Sequence, residues 1–227
     1  EVIDGNGEAY RDLLALIQND PGNWNAGYRD FTGDAPYQAL QGNSPDGTPD
    51  PRRPAYLDVP NLIDYMIHNM YSAATDWPGN NYIGRDRTAR GTGFKFLSWD
   101  NEHGMKPSVT INRTTPHSRD DDSPTKFHHP LRDNAEYRLL FADHLHRTFA
   151  NDGPLTATNA AARWMEVTGE IEQALIAESA RWGDYRRANP YTVEGDFKPL
   201  RQSLLDNWFP RRSSIVLGQF RAQGLYP

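Results

Sequence analysis

Asp76 and Asn81 stand five residues apart, and Asp100 follows a stretch with the grammar of a β-hairpin, 81–99. Phosphoryl transfer asks for such a set. The transferring group and its metals concentrate charge, so a site for it needs oxygen ligands for divalent cations and one carboxylate that orients the attacking hydroxyl and takes its proton. In protein kinases a catalytic Asp precedes a metal-binding Asn by five residues, and a short hairpin leads on to a second metal-binding Asp. In that order Asp76 reads as the catalytic carboxylate, and Asn81 and Asp100 as metal ligands. The same residue types also serve as turn caps: Asp76 and Asn81 suit a helix-to-strand turn, and Asp100 suits a turn after an apolar strand. Spacing alone leaves both readings open.

The elements that must position these residues follow from periodicity. Asn81–Arg85 and Phe94–Trp99 read as two short strands around the polar, glycine-ended stretch Asp86–Gly93. Phe94 and Phe96 share a strand face, where they either back a purine or pack into the core. Before the site, Asp58 is a helix N-cap with Pro60 in the first turn. Val59, Leu62, Ile63, Met66, Ile67, Met70 and Tyr71 then recur every three or four residues. Glu8–Asn19 is a further helix, stopped by Asp20-Pro21-Gly22. Residues 23–55 are rich in Gly, Pro, Asn and Asp and read as a long surface excursion with a short helical turn at Tyr37–Leu40.

After Asp100 the stretch 100–130 reads as loop, with a solvated acidic run at Asp120–Asp122. Helices are expected over Ala135–Ala150 (Leu139, Leu140, Leu145, Phe149 inward), from Thr156 as cap to Trp182, over Phe197–Trp208 and over Ser213–Gln223. Trp164, Trp182 and Trp208 lie on apolar faces and are expected in the core. Gly183 is placed to cap a helix C-terminus. The fold class is α+β, mostly α: one domain of packed helices with a small antiparallel hairpin.

Composition narrows the function classes. With 24 basic against 30 acidic residues the net charge is -6, which argues against general nucleic-acid binding. No apolar run is long enough to span a bilayer. Zero cysteines exclude a disulfide framework and a cysteine zinc site. Asp100-Asn-Glu-His103 and His128-His129 raise a metal hydrolase. Yet His68, His103, His117, His128, His129, His144 and His146 include no i, i+4 pair with a glutamate between. No Gly-x-Ser-x-Gly nucleophile elbow is present.

The wording around the site adds a resemblance. Tyr56-Leu-Asp-Val-Pro-Asn-Leu-Ile-Asp-Tyr-Met66, Thr75-Asp-Trp-Pro-Gly-Asn-Asn81 and Gly93-Phe-Lys-Phe-Leu-Ser-Trp-Asp-Asn-Glu102 resemble the CotH kinase family, atypical secretory-type kinases first named for a spore-coat protein. Glu178–Asp184, Trp208–Arg212 and Gly224–Pro227 are similar to its large bacterial branch. The resemblance implies a protein-kinase-like C-lobe, with Asp76 as catalytic Asp and with Asn81 and Asp100 holding magnesium or manganese on ATP. Glu102 is either a supporting carboxylate on the same side as Asp100 or a surface group.

One departure bears on activity. Nothing before Asp58 resembles a nucleotide-binding N-lobe, and Lys95, Lys106, Lys126 and Lys198 all lie within or after the catalytic segment. With Glu1 as its first residue, the chain is expected to be the catalytic portion, 1–227, of a longer or processed protein whose N-lobe lies upstream. A degenerate domain without ATP binding is the alternative. The leading expectation is ATP-dependent phosphorylation of Ser or Thr hydroxyls on exported or coat proteins, by an exported bacterial protein at the cell or spore surface. The alternatives are a non-catalytic binding module of a large surface protein and a metal-dependent phosphohydrolase.

Overall fold

The computed structural model describes residues 4–20, 23, 27–77, 79–88, 91–105, 108–115 and 124–227. The helix stop at Pro21-Gly22, Pro78, Lys106, His117 and the acidic run Asp120–Asp122 lie outside the described residues.

The centre of the molecule is α3, Val59–Ser72, buried on nearly every side. Asp58 caps it, accepting from the Asn61 amide at 3.0 Å, and Pro60 sits in the first turn, where its missing N–H costs nothing. Around it pack α4 (Thr125–Leu131), α5 (Ala135–Phe149) and α8 (Phe209–Ala222), with α1 (Glu8–Ile17) part of the same core. The strands β1 (Asn81–Gly84) and β2 (Lys95–Ser98) form an antiparallel pair with Asn81 opposite Ser98 and Gly84 opposite Lys95. The described residues are thus mostly helical with one small sheet.

The hairpin is fastened to α3 through its second strand. The Asn61 side chain accepts from the Phe96 amide at 2.6 Å and donates to the Phe96 carbonyl at 3.3 Å, serving the strand as a substitute neighbour. Phe96 is buried against Tyr65 and Phe127, and half-buried Phe94 packs on Tyr10. Both phenylalanines therefore belong to the core rather than to a ligand face.

Several expectations need correction. The stretch expected as loop contains α4, which forms because Phe127 and Leu131 are fully buried. The 23–55 excursion is not purely superficial: Phe31, Tyr37 and Leu40 are buried, and α2 (Asp34–Leu40) starts earlier than the expected turn. Its final carbonyl, on Leu40, accepts from Tyr56 and Leu57 and so ties the excursion to the entry of α3. Leu139 of α5 faces solvent, while Tyr137, Phe141, Leu145 and Phe149 face inward.

The longest helix, α6 (Ala157–Trp182), carries the clearest mismatch. Trp164 packs on Phe209, but Val167, Ile171, Ile176 and Trp182 are exposed, Trp182 by 50%. Periodicity marks an apolar stripe but does not supply the partner that would cover it. Gly183 stays in right-handed helical conformation; a Cβ there would lie 2.4 Å from the Ser179 carbonyl oxygen, so close packing rather than a left-handed cap requires glycine.

The last helical stretch begins at Val193, capped by Thr192, rather than at Phe197. It runs on to Ala222 through α7 (Lys198–Ser203), with wider π turns at Val193–Phe197 and Leu204–Trp208. The second wide turn precedes Pro210, whose ring would meet the carbonyl four residues back in regular α winding.

Candidate active site

Asp76 lies in the turn between α3 and β1, and Asp100 lies two residues past the end of β2. Because β1 and β2 pair from Asn81–Ser98 onward, the hairpin returns the chain to the level at which it left. A short 3-10 turn, Asn101–His103, then follows Asp100. Asp100 itself is left-handed, φ 55°, a conformation that aspartate tolerates better than most residues.

The turn folds back on Asp76. One ligand atom each from Asp76, Glu102 and His103 lie within 4.8 Å of one another. His103 Nε2 is 3.4 Å from Glu102 Oε1 and 3.9 Å from Asp76 Oδ2. The Asp100 carboxyl meets Glu102: a hydrogen bond with Glu102 and that group's negative charge hold Asp100 above the usual carboxylate range, with His103 pulling the other way. Two acids crowded in this way are a place where a cation would relieve repulsion.

A divalent cation fits the donor set. Oδ1 of Asp76 is buried and has no hydrogen-bond partner among the described residues, so it offers a lone pair that nothing else uses. Oδ2 accepts from Asn80 Nδ2 at 2.8 Å, which fixes the carboxylate's rotation. Two oxygens and one imidazole nitrogen suit magnesium less well than manganese or zinc, since imidazole is a softer donor. The group is half-open to solvent, with Asp76, Glu102 and His103 side chains 34%, 55% and 50% exposed, and so is accessible to a soluble ligand.

Of the residues singled out from sequence, Asp76 and Asp100 therefore lie in one neighbourhood bridged by Glu102. Asn81 opens β1, half-buried and opposite Ser98, one residue beyond the Asn80 that touches Asp76. Sequence reading passes over Asn80, and it raises His103 as a metal ligand but sets it aside for want of helical ligand spacing, whereas His103 lies in a tight turn. The signal was local: Asp-Asn-Glu-His-Gly is turn-forming, and a turn gathers adjacent side chains.

The other histidines have separate surroundings. His68 Nε2 contacts Asn101 Nδ2 at 3.2 Å. His144 Nδ1 pairs with Asp64 at 2.6 Å, joining α5 to α3. His128 and His129 sit on α4. Among the described residues no helix is long and apolar enough to cross a membrane.

No curated protein and no solved structure matches the chain. The family model described as CotH kinase protein matches residues 40–203, a span that takes in α3, the hairpin and every side chain of the Asp76–His103 group. With well over half its length inside that match, the chain belongs to the CotH kinase family.

Proposed function

We propose that this protein transfers the γ-phosphoryl group of ATP to Ser or Thr hydroxyls of exported or coat proteins, with magnesium or manganese as cofactor. In this reading the helices and hairpin are the C-lobe-like catalytic portion of a kinase domain, working outside the cell or at the cell or spore surface. The observation that carries it is the convergence of Asp76, Glu102 and His103, with Asp100 against Glu102, inside a family match to a kinase.

Asp100, Glu102 and His103 would hold the cation beside Asp76, with Asn81 at the mouth of the hairpin as a further ligand. When bound, the cation screens the charge on the phosphate oxygens. Asp76 orients the acceptor hydroxyl and takes its proton as the new O–P bond forms and the bond to the β–γ bridging oxygen breaks, leaving ADP. Asn80 keeps the Asp76 carboxylate in the orientation this needs.

His103 beside Asp76 also favours a second reading, a phosphohydrolase in which water replaces the acceptor hydroxyl. Radiolabelled phosphate transfer by the full-length protein, to itself or to an acceptor, separates the two. Asp76→Ala should lower transfer by about a hundredfold or more, as expected for loss of a general base that also borders the cation. Asp100→Ala should weaken nucleotide binding as well. Wild-type transfer by the Asp76→Ala protein would contradict the kinase mechanism. Release of free phosphate with no labelled protein would favour the hydrolase.

A further inference from the structure

A helix leaves its last four carbonyls without donors of its own. In α3 these belong to Asn69, Met70, Tyr71 and Ser72. Ser72 Oγ donates to the Asn69 carbonyl at 3.1 Å. Arg212 of α8 donates from Nη2 to Met70 and from Nε to Tyr71, the latter at 2.7 Å. The Met105 amide reaches the Ser72 carbonyl at 2.6 Å. The helix has no basic residue in its own last turn, so the cation that answers its negative end comes from 141 residues away.

The same guanidinium makes two more bonds, from Nη1 to the carbonyls of Val109 at 2.7 Å and Ile111 at 2.9 Å. Arg212 is fully buried, lies 5.3 Å from the Trp208 ring centroid, and has no carboxylate partner among the described residues. Burial lowers its pKa to about 10, so it stays charged at neutral pH. Only a planar fork of donors can serve four carbonyls on two segments at once; a lysine cannot.

Both segments lead to the active site. From Tyr71 the chain runs through left-handed Ala73 to Asp76. From Val109 it runs back to Met105, His103 and Glu102. We infer that Arg212 is a positioning residue, which holds the Asp76 branch and the Glu102–His103 branch at a fixed separation. Its kinetic consequence rests on the proposed function; its geometric consequence does not.

The test uses Arg212→Lys in the full-length protein, with Gln219→Leu as a milder second variant. Gln219 Nε2 donates to the Thr110 carbonyl at 3.0 Å and steadies the same loop from α8. Val216→Ala, a buried change one turn along α8 from Arg212 that removes no hydrogen bond to these carbonyls, controls for general destabilisation. Hydrogen exchange, Mn2+ affinity and the split between kcat and KM are measured on each. Arg212→Lys should speed amide exchange over 72–81 and 101–111 and weaken Mn2+ binding by about tenfold, the loss typical when a ligand's support is removed. Its kcat should fall with the KM for ATP little changed. Gln219→Leu should shift exchange and Mn2+ affinity less, in the same direction, and decides the matter if Arg212→Lys does not fold. Val216→Ala should leave Mn2+ affinity unchanged. Wild-type exchange and Mn2+ affinity in both test variants would overturn the inference, as would an equal loss in Val216→Ala. If these shifts appear in a protein that transfers no phosphate, the positioning role stands and the kinase reading falls.

Discussion

The Met105 amide donates to the Ser72 carbonyl at 2.6 Å, and this bond ties the end of α3 to the turn bearing Glu102 and His103. Asn101 strengthens the join, its Nδ2 lying 3.4 Å from Ser72 Oγ and 3.2 Å from His68 Nε2. The turn bearing Glu102 and His103 is therefore seated on a helix terminus rather than carried by a free loop. Three left-handed non-glycine residues, Ala73, Asp100 and Met105, mark the places where the chain bends to achieve this. Such conformations persist only where surrounding bonds enforce them.

Gly93 sets how closely β2 approaches α3. Its φ is +105°, and a Cβ would lie 2.5 Å from the Leu57 nitrogen and 2.6 Å from its carbonyl carbon, both backbone atoms that cannot yield. The bonds from Phe94 N to Tyr56 O at 2.8 Å and from Asp58 N to Phe94 O at 3.1 Å depend on that approach. Gly93→Ala should cost about 2 kcal/mol or more in urea unfolding, from strain and lost hydrogen bonds together. A loss within about 0.5 kcal/mol, the range of ordinary surface changes, would show that the approach is not required.

His128 makes stability depend on pH. It is buried in α4 with Nδ1 2.6 Å from the Tyr137 hydroxyl, and Nε2 has no partner among the described residues. Burial, then the charges of Arg132 and His129, push its pKa well below the ordinary 6.5. The folded protein keeps this imidazole neutral while the unfolded chain protonates it. Stability is therefore full above the unfolded value and falls as pH drops below it, by up to about 1.4 kcal/mol per pH unit. His128→Phe should lose stability near neutral pH, because the Tyr137 hydroxyl loses its hydrogen-bond partner, yet show a shallower decline between about pH 6.5 and pH 5. Equal slopes in the two proteins, compared by urea midpoints, would contradict this.

Much of the fold around the candidate site was legible because it depends on local rules. Asp58 with Pro60 announces a helix start, and Ile83, Phe94 and Phe96 with the glycines before Phe94 announce a hairpin. Once the hairpin is known, the chain entering it after Asp76 and the chain leaving it toward Asp100 return to the same level. What was not legible depends on tertiary partners. Thr125–Leu131 has two large apolar residues and a proline, too little periodicity to mark a helix until Phe127 is seen against Phe96 and Tyr10. Arg212 reads as one more polar residue in a helix until the carbonyls it serves are known. His103 enters the site through the shape of a turn, which residue spacing does not specify. The apolar stripe of α6 errs in the opposite direction, announcing a core contact that Ile176 and Trp182 do not make.

The central claim is that Asp76, Asp100, Glu102 and His103 form one cation-binding centre, on which the phosphoryl-transfer reading depends. It is tested most directly by titrating Mn2+ into the protein and following the free ion by electron paramagnetic resonance. The account predicts saturable binding by the wild type. Asp76→Asn, Asp100→Asn and Glu102→Gln should each weaken it by about tenfold or more, since each removes a charged oxygen donor or its support. Asp184→Asn, beyond the end of α6, should leave it unchanged. Absence of saturable binding in the wild type, or wild-type affinity in the Asp76→Asn and Glu102→Gln proteins, would contradict the account.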